Sequence, residues 1–239
     1  MQHHRPTFAG LAASLSLLLV VPLLLTGCGA RGKDLQPGAW RAVLEVPGGE
    51  LPFELDVASE ESGFVLTLVN GEERVRVTEV TVADGKLTAT VPGNGNTLTA
   101  RIEGDDLEGE VSLAVPGGER QVLPFKAEHG QAWRFFEEPL TDNADVSGYW
   151  TVTFTDDTGQ ATAGTAEFTQ SFGIVTGTVQ APTLEHRYLT GEIRDDELYL
   201  SRFDGASAYL YRAKVNERGE LVGEYWSGTS EHRKFVAVR

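Results

Sequence analysis

The sequence Gly38-Ala39-Trp40-Arg41-Ala42-Val43-Leu44 decides the fold, because it returns 110 residues later as Gly148-Tyr149-Trp150-Thr151-Val152-Thr153-Phe154. The similarity continues downstream, where Leu107-Glu108-Gly109-Glu110 corresponds to Leu221-Val222-Gly223-Glu224. Each copy is about 90 residues long, which is the size of a small domain and well above that of a solenoid repeat. The sequence therefore predicts two tandem domains of one fold.

Both copies consist of short segments in which apolar and polar residues alternate, the pattern of half-buried antiparallel strands. One such segment is Arg74–Val82, which we predict to be a single strand. Turn sequences such as Asn70-Gly71 and Asp84-Gly85 separate the segments and supply residues that adopt positive φ in hairpins. About eight strands per copy in hairpin order favour a sheet that closes on itself, because closure removes unpaired edges.

We therefore predict an all-β protein with two tandem antiparallel up-and-down, lipocalin-like β-barrel or curled-sheet domains. A two-sheet sandwich is the alternative. The Gly-x-Trp opening of each copy resembles the start of lipocalin-like barrels, where the tryptophan plugs one end. Trp40 and Trp150 are alternatively ordinary core aromatics on the first strand, since buried aromatic residues usually serve packing.

The first 27 residues have the form of a secretory signal, with Arg5 followed by an apolar run from Phe8 to Leu25. Leu25-Thr26-Gly27-Cys28 resembles a lipobox, the site at which bacterial lipoproteins are cleaved and lipidated. The run is short and contains a proline, which argues against a transmembrane helix. We expect Cys28 to carry lipid that anchors the protein in the bacterial envelope. Because no Asp follows Cys28, the resemblance favours the outer membrane, with the body facing the periplasm.

These signals give the domain boundaries. We predict a signal peptide over 1–27, a lipidated tether over 28–37, β-domain 1 over 38–128, a linker over 129–147 and β-domain 2 over 148–239. The linker contains three aromatic residues that we expect to pack between the domains, namely Trp133, Phe135 and Phe136.

Charge and cysteine content exclude several functions. The chain carries a formal charge of -15, and removal of the signal takes away Arg5 and no acidic residue, which leaves -16. Such acidity disfavours a nucleic-acid partner. Cys28 is the only cysteine, so the body cannot form an intramolecular disulfide even in an oxidising compartment.

A family resemblance is carried by four segments of the second copy, Val146–Trp150, Arg187–Gly191, Leu198–Gly205 and Gly223–Gly228. In this order they resemble the N-terminal β region of envelope TlpA-like thiol-disulfide oxidoreductases. In that family a thioredoxin-like domain with a Cys-x-x-Cys pair follows and carries out the redox chemistry. The present sequence has no such pair. The resemblance therefore implies either a stand-alone relative of the accessory region or a fragment of a longer redox protein.

A search for other chemistry yields no catalytic motif, metal site or cofactor site. His186 and His232 are flanked by charged residues, which predicts strand ends or loops in water. Three acidic pairs, Asp105-Asp106, Asp156-Asp157 and Asp195-Asp196, lie in predicted hairpin turns and lack the spacing of a calcium loop. We therefore predict that the protein is not an enzyme.

Aromatic residues are concentrated in the second copy and suggest a binding site. Tyr209 and Tyr211 share one face of a predicted strand, and Tyr199 and Phe203 share a face of another. If these faces point inward, they line a partly polar pocket for a small amphipathic ligand such as a carbohydrate, lipid or peptide. Alternatively they form a filled core. The candidate ligand-binding residues are Tyr188, Tyr199, Phe203, Tyr209, Tyr211 and Trp226.

Two functions follow from the sequence. The first is a non-enzymatic envelope lipoprotein whose two β-domains serve as a binding or interaction module for a small ligand or an envelope protein. The second is the accessory N-terminal region of a thiol-disulfide oxidoreductase whose thioredoxin domain is absent from this sequence.

Overall fold

The computed structural model describes residues 1–2, 34–93, 95–115, 117–138 and 143–239. Nearly all of the predicted signal peptide, and Cys28, lie outside these residues. Within the described part of the chain every regular element is a β-strand, and there is no helix able to cross a membrane. The prediction of an all-β fold with two tandem barrel-like domains is confirmed.

The strands follow one another through short turns. The first domain contains β1 Gly38–Val46, β2 Gly49–Glu60, β3 Gly63–Asn70, β4 Glu73–Val77, β5 Glu79–Ala83, β6 Lys86–Val91, β7 Asn96–Glu103, β8 Asp106–Ala114 and β9 Arg120–His129. The second contains β10 Gly148–Asp156, β11 Ala161–Ser171, β12 Ile174–Ala181, β13 Leu184–Arg194, β14 Glu197–Phe203, β15 Ala208–Val215, β16 Leu221–Ser227 and β17 Glu231–Val238.

The first domain is a curled sheet that nearly closes, in the order β4-β3-β2-β1-β9-β8-β7-β6-β5. Its two end strands, β4 and β5, are consecutive in the chain and are separated by Thr78. Because β4 pairs with β3 and β5 pairs with β6, this interrupted segment spans the gap between the two ends of the sheet. The prediction of one strand over Arg74–Val82 is therefore wrong.

A change in the inward-facing positions explains the interruption. Val77 is buried in the core, and Val75, Val80 and Val82 pack against it. In a regular strand every second residue faces the same side, so Val75 and Val77 cannot share a face with Val80 and Val82 without one extra residue between them. The extra residue breaks the strand at Thr78 and lets all four valines face the core.

The second domain is a closed barrel in which β10 through β17 pair in sequence order and β17 returns to β10. Its β13 has an irregularity at the position 110 residues after Thr78: the register shifts between Gly177 and Val179, and Tyr188 adopts a φ of 56°. Here the extra residue produces a bulge rather than a break. Both domains thus bend the corresponding strand at the same place.

Matching aromatic caps close one end of each barrel. Trp40 and Trp150 are buried, and each indole donates a hydrogen bond to the carbonyl four residues earlier, at 3.0 and 2.9 Å. A residue at the end of the last strand covers each ring: His129 lies 5.0 Å from Trp40, and the Arg239 guanidinium lies 4.6 Å from Trp150. Both tryptophans are core residues, and the repeat extends to their hydrogen bonds and ring contacts.

The opposite end of the first barrel is covered by the β14–β15 hairpin of the second. Asn70, fully buried at the end of β3, donates to the Phe203 carbonyl at 2.9 Å and accepts from the Phe203 amide at 3.1 Å. Asn96, at the start of β7, donates to the Gly205 carbonyl at 2.8 Å. The Phe203 ring packs 4.8 Å from the ring of Phe53. The hairpin therefore completes the core of the first barrel.

Polar contacts also fix the two domains to one another. Arg202 forms a two-pronged ion pair with Glu73, with N–O distances of 2.9 and 2.6 Å, and both side chains are largely buried. The linker contributes Arg134, whose Nε donates to the Ser201 hydroxyl at 3.0 Å. Burial lowers the pKa of Arg134 to about 10, so its guanidinium stays charged at neutral pH. Phe135 packs against the first core and against Tyr199 of the second domain.

Replacement of Asn70 tests the importance of this junction. Asn70→Ala leaves the buried amide and carbonyl of Phe203 without partners, so we expect the free energy of unfolding to fall by about 3 kcal/mol. Urea denaturation measures the change. The control Gln131→Ala, at an exposed linker position, should alter the free energy by less than about 0.5 kcal/mol. Equal, small effects of both substitutions would show that the Asn70 contacts contribute little.

Candidate functional site

The six residues selected from the sequence lie in three separate places. Tyr209 and Tyr211 point into the second barrel, where they border its core. Phe203 and Trp226 face the first domain and pack against its core, and Tyr199 contacts the linker. Tyr188 lies on the outer surface with 44% of its side chain exposed. The structure therefore does not gather these side chains into one pocket.

The interior group surrounds a buried histidine. His186 stacks on Tyr209 with ring centroids 3.6 Å apart, and its Nδ1 lies 2.7 Å from the Tyr211 hydroxyl. Tyr211 in turn stacks on Tyr225, with centroids 5.1 Å apart. His186 is only 2% exposed, so the prediction that it lies in water is wrong. The bulge at Tyr188 explains the error, because the extra residue lets His186 face inward together with Leu189.

Burial controls the protonation of this group. Desolvation by burial, together with the positive charges of Arg202 and Arg233, lowers the pKa of His186 to about 3, so the imidazole is neutral at pH 7. Burial raises the pKa of Tyr211 and of Tyr225. The Arg233 Nε is buried and has no hydrogen-bond partner among the described residues. The interior is thus filled by its own rings and leaves little access from solvent.

The three aromatic residues at the junction of the domains are packed against other parts of the protein. Phe203 is 1% exposed beneath the first barrel, and Trp226 packs so closely that a Cβ added at Gly48 would lie 2.3 Å from its ring. Tyr199 lies between Phe135 and Phe136, with ring centroids 5.4 Å away in both cases. These three aromatics stabilise the junction between the domains.

Tyr188 differs from the other five because it is exposed and strained. Its φ of 56° is a left-handed conformation that aromatic residues rarely adopt and that costs about 1–2 kcal/mol. A hollow of about 280 Å³ lies beside it, lined by the β3–β4 turn of the first domain and by Thr176, Thr178 and Thr190 of the second. The turn approaches so closely that a Cβ added at Gly71 would lie 2.8 Å from the Thr190 hydroxyl.

A second hollow, of about 340 Å³, lies on the other side of Thr178 and is bordered by Tyr149, whose side chain is 74% exposed. Strand pairing connects the two hollows. Tyr149 pairs with Glu167, Glu167 pairs with Thr178, and Thr178 faces the bulge that contains Tyr188. We call these four residues the tyrosine row. Its ends are three strand spacings apart, or about 14 Å.

The row combines aromatic, hydroxyl and acidic groups. A hydrogen bond to the Glu167 carboxylate raises the pKa of Tyr149, so its phenol remains neutral at physiological pH. Arg187, beside the second hollow, already pairs with Glu185, with 2.9 Å between Nε and the carboxylate. Across the described residues no three His, Cys, Asp or Glu side chains come together as metal ligands.

Sequence reasoning missed Tyr149 and His186. Tyr149 occurs in the repeated Gly-x-Trp opening, and its position next to the inward-facing Trp150 already places it on the outer face. His186 lies one residue before the bulge, which the alternation of residues alone does not reveal. The three acidic pairs do lie at hairpin turns as predicted; Asp156, for example, accepts the amide of Thr158 at 2.9 Å.

No family model matches this sequence, and no curated protein does. One similar solved structure is that of a protein of unknown function from the DUF3598 family of Nostoc punctiforme PCC 73102. It is 14% identical, and the alignment covers 84% of this chain and 95% of that chain with a TM-score of 0.28. A TM-score this low supports no conclusion about function.

The buried histidine predicts a pH dependence of stability. Below pH 6.5 the unfolded chain binds a proton at His186, whereas the folded chain does not until about pH 3, so stability falls as the pH is lowered through this range. Between pH 8 and pH 5 this loss is about 2 kcal/mol. His186→Phe keeps a ring against Tyr209 but cannot titrate. Urea denaturation at both pH values should show a smaller loss for this variant; an unchanged loss would mean that His186 is not buried as a neutral group.

Proposed function

We propose that this chain is a lipid-anchored envelope lipoprotein whose two joined barrels form a non-enzymatic binding module. Cys28 carries the lipid, the outer membrane is the site of attachment, and the body faces the periplasm. The tyrosine row, with a hollow on each side of Thr178, is the observation that carries the binding role.

The packing of the barrels favours binding on the outside. Inward-facing side chains fill the first barrel, and the β14–β15 hairpin covers one end through Asn70 and Asn96. Rings around His186 fill the second barrel. A ligand that entered either barrel would have to displace these buried side chains, which is costly in a close-packed interior.

Exposed apolar side chains are unevenly distributed. Among the residues that the structure describes, the first barrel exposes one large hydrophobic side chain, that of Val122. The second barrel exposes seven such residues, namely Tyr149, Phe172, Ile174, Tyr188, Val222, Val236 and Val238. The second barrel therefore offers a partner more exposed apolar surface than the first. One of the seven, Tyr188, also has a left-handed conformation inside a strand, a strain that commonly occurs at functional sites, whereas the positive φ of Phe172 belongs to the two-residue turn between β11 and β12.

The anchor is tested by Cys28→Ala. Without the thiol no acyl chain can be attached, so metabolic labelling with a tagged fatty acid should be lost and the precursor should remain uncleaved. The unsubstituted protein provides the positive control. Normal labelling and processing of the variant would contradict the anchor.

The binding role is tested with a lipid-free form that begins at residue 29 and therefore contains the whole compact unit Arg31–Arg239. We expect this form to sediment with isolated bacterial cell envelopes, and the double variant Tyr149→Ala and Tyr188→Ala to remain largely in the supernatant. Phe172→Ser is the matched control, because it removes an exposed aromatic ring from the same barrel outside the row. Equal sedimentation of all forms would contradict a binding role for the row.

A further inference from the structure

We infer that the tyrosine row binds an uncharged linear saccharide, an inference that rests on the proposed binding function and names its ligand class. The row places two exposed tyrosines on strands whose backbones are about 14 Å apart, with the Glu167 carboxylate and the Thr178 hydroxyl between them. Aromatic rings offer a flat apolar face, and hydroxyl groups both donate and accept hydrogen bonds. A chain of sugar rings presents the complementary combination of C–H faces and hydroxyl groups.

The floor of the site favours hydroxyl-rich ligands over apolar ones. The two hollows share Thr178, and the other threonines that line them are Thr165, Thr176 and Thr190. An acyl chain would cover these hydroxyl groups without offering them hydrogen bonds, which is unfavourable. A saccharide can satisfy them.

The charges around the row disfavour an anionic ligand. Glu72 lines one hollow and Glu167 the other, whereas the nearby cation, Arg187, is paired with Glu185. The predicted mature chain carries a further excess of negative charge, with 35 acidic residues in the full sequence. Acidic polysaccharides would therefore be repelled, and an uncharged saccharide would not.

The fold also argues against an extended peptide. Peptides often bind β-proteins by adding a strand to a free sheet edge. The second barrel is closed from β10 to β17, so the row has no such edge beside it. The bulge opposite Thr178 instead holds Tyr188 in a strained conformation that keeps its ring at the surface next to the hollow.

Calorimetric titration of the lipid-free form beginning at residue 29 tests the inference. The probes are chitotetraose and cellotetraose, both uncharged, and tetragalacturonate, which has the same length and carries four carboxylates. We expect saturable binding of at least one uncharged tetrasaccharide and none of tetragalacturonate. Tyr149→Ala and Tyr188→Ala should each weaken binding about tenfold, and Phe172→Ser should have no effect.

Thr178→Val provides a second variant that keeps the side-chain shape and removes the shared hydroxyl; it too should weaken binding, with an unchanged thermal unfolding curve. Absence of binding to both uncharged probes, or binding that neither tyrosine substitution alters, would overturn the saccharide inference. If no saccharide binds but the tyrosine variants still fail to sediment with cell envelopes, the proposed binding module stands and its ligand belongs to another class. If sedimentation is also unaffected, both proposals fail.

Discussion

The hydrogen bonds between the Asn70 side chain and the backbone of Phe203 are the interaction on which the rest of the structure depends. They hold the β14–β15 hairpin of the second barrel against the open end of the first, where Phe203 completes a core that the first domain cannot close alone. The amide group imitates a strand neighbour, because it offers one donor and one acceptor to a buried peptide unit. Arg202 and Glu73 add charge pairing at the same junction. The two domains therefore act as one body.

This junction determines where recognition can take place. With both barrels filled, the fold offers its outer surface rather than an internal cavity, and the β3–β4 turn of the first domain becomes one wall of a hollow on the second. The hollow beside Tyr188 thus exists only because the domains are fixed together. Strain at Tyr188 and the exposure of Tyr149 lie within this surface, which links the arrangement of the domains to the proposed binding role.

The repeat, the strand order and the buried tryptophans could be predicted from the sequence because they depend on local alternation and on turn residues. The break at Thr78 could also have been predicted. The valines before it are at odd positions, 75 and 77, and those after it are at even positions, 80 and 82, so one regular strand cannot turn all four to the same face. The junction could not be predicted. Asn70-Gly71 and Asp204-Gly205 have the form of ordinary turns. Nothing in the local sequence shows that the Asn70 side chain forms hydrogen bonds with the backbone of Phe203, the last residue of the strand before Asp204. Long-range contacts of this kind are set by the packing of whole domains.

The most direct test of the account is native-state hydrogen exchange of the lipid-free protein, comparing peptides from β1 and from β10. If the hairpin makes the two barrels one cooperative unit, the slowest amides of both strands should exchange with the same free energy of opening and the same dependence on denaturant. If the slowest amides of β1 exchange with a lower free energy of opening than those of β10, the first barrel opens on its own and the two barrels are not one cooperative unit. In that case the hollow beside Tyr188 would not be a fixed feature of the molecule, and the proposed site would lose its basis.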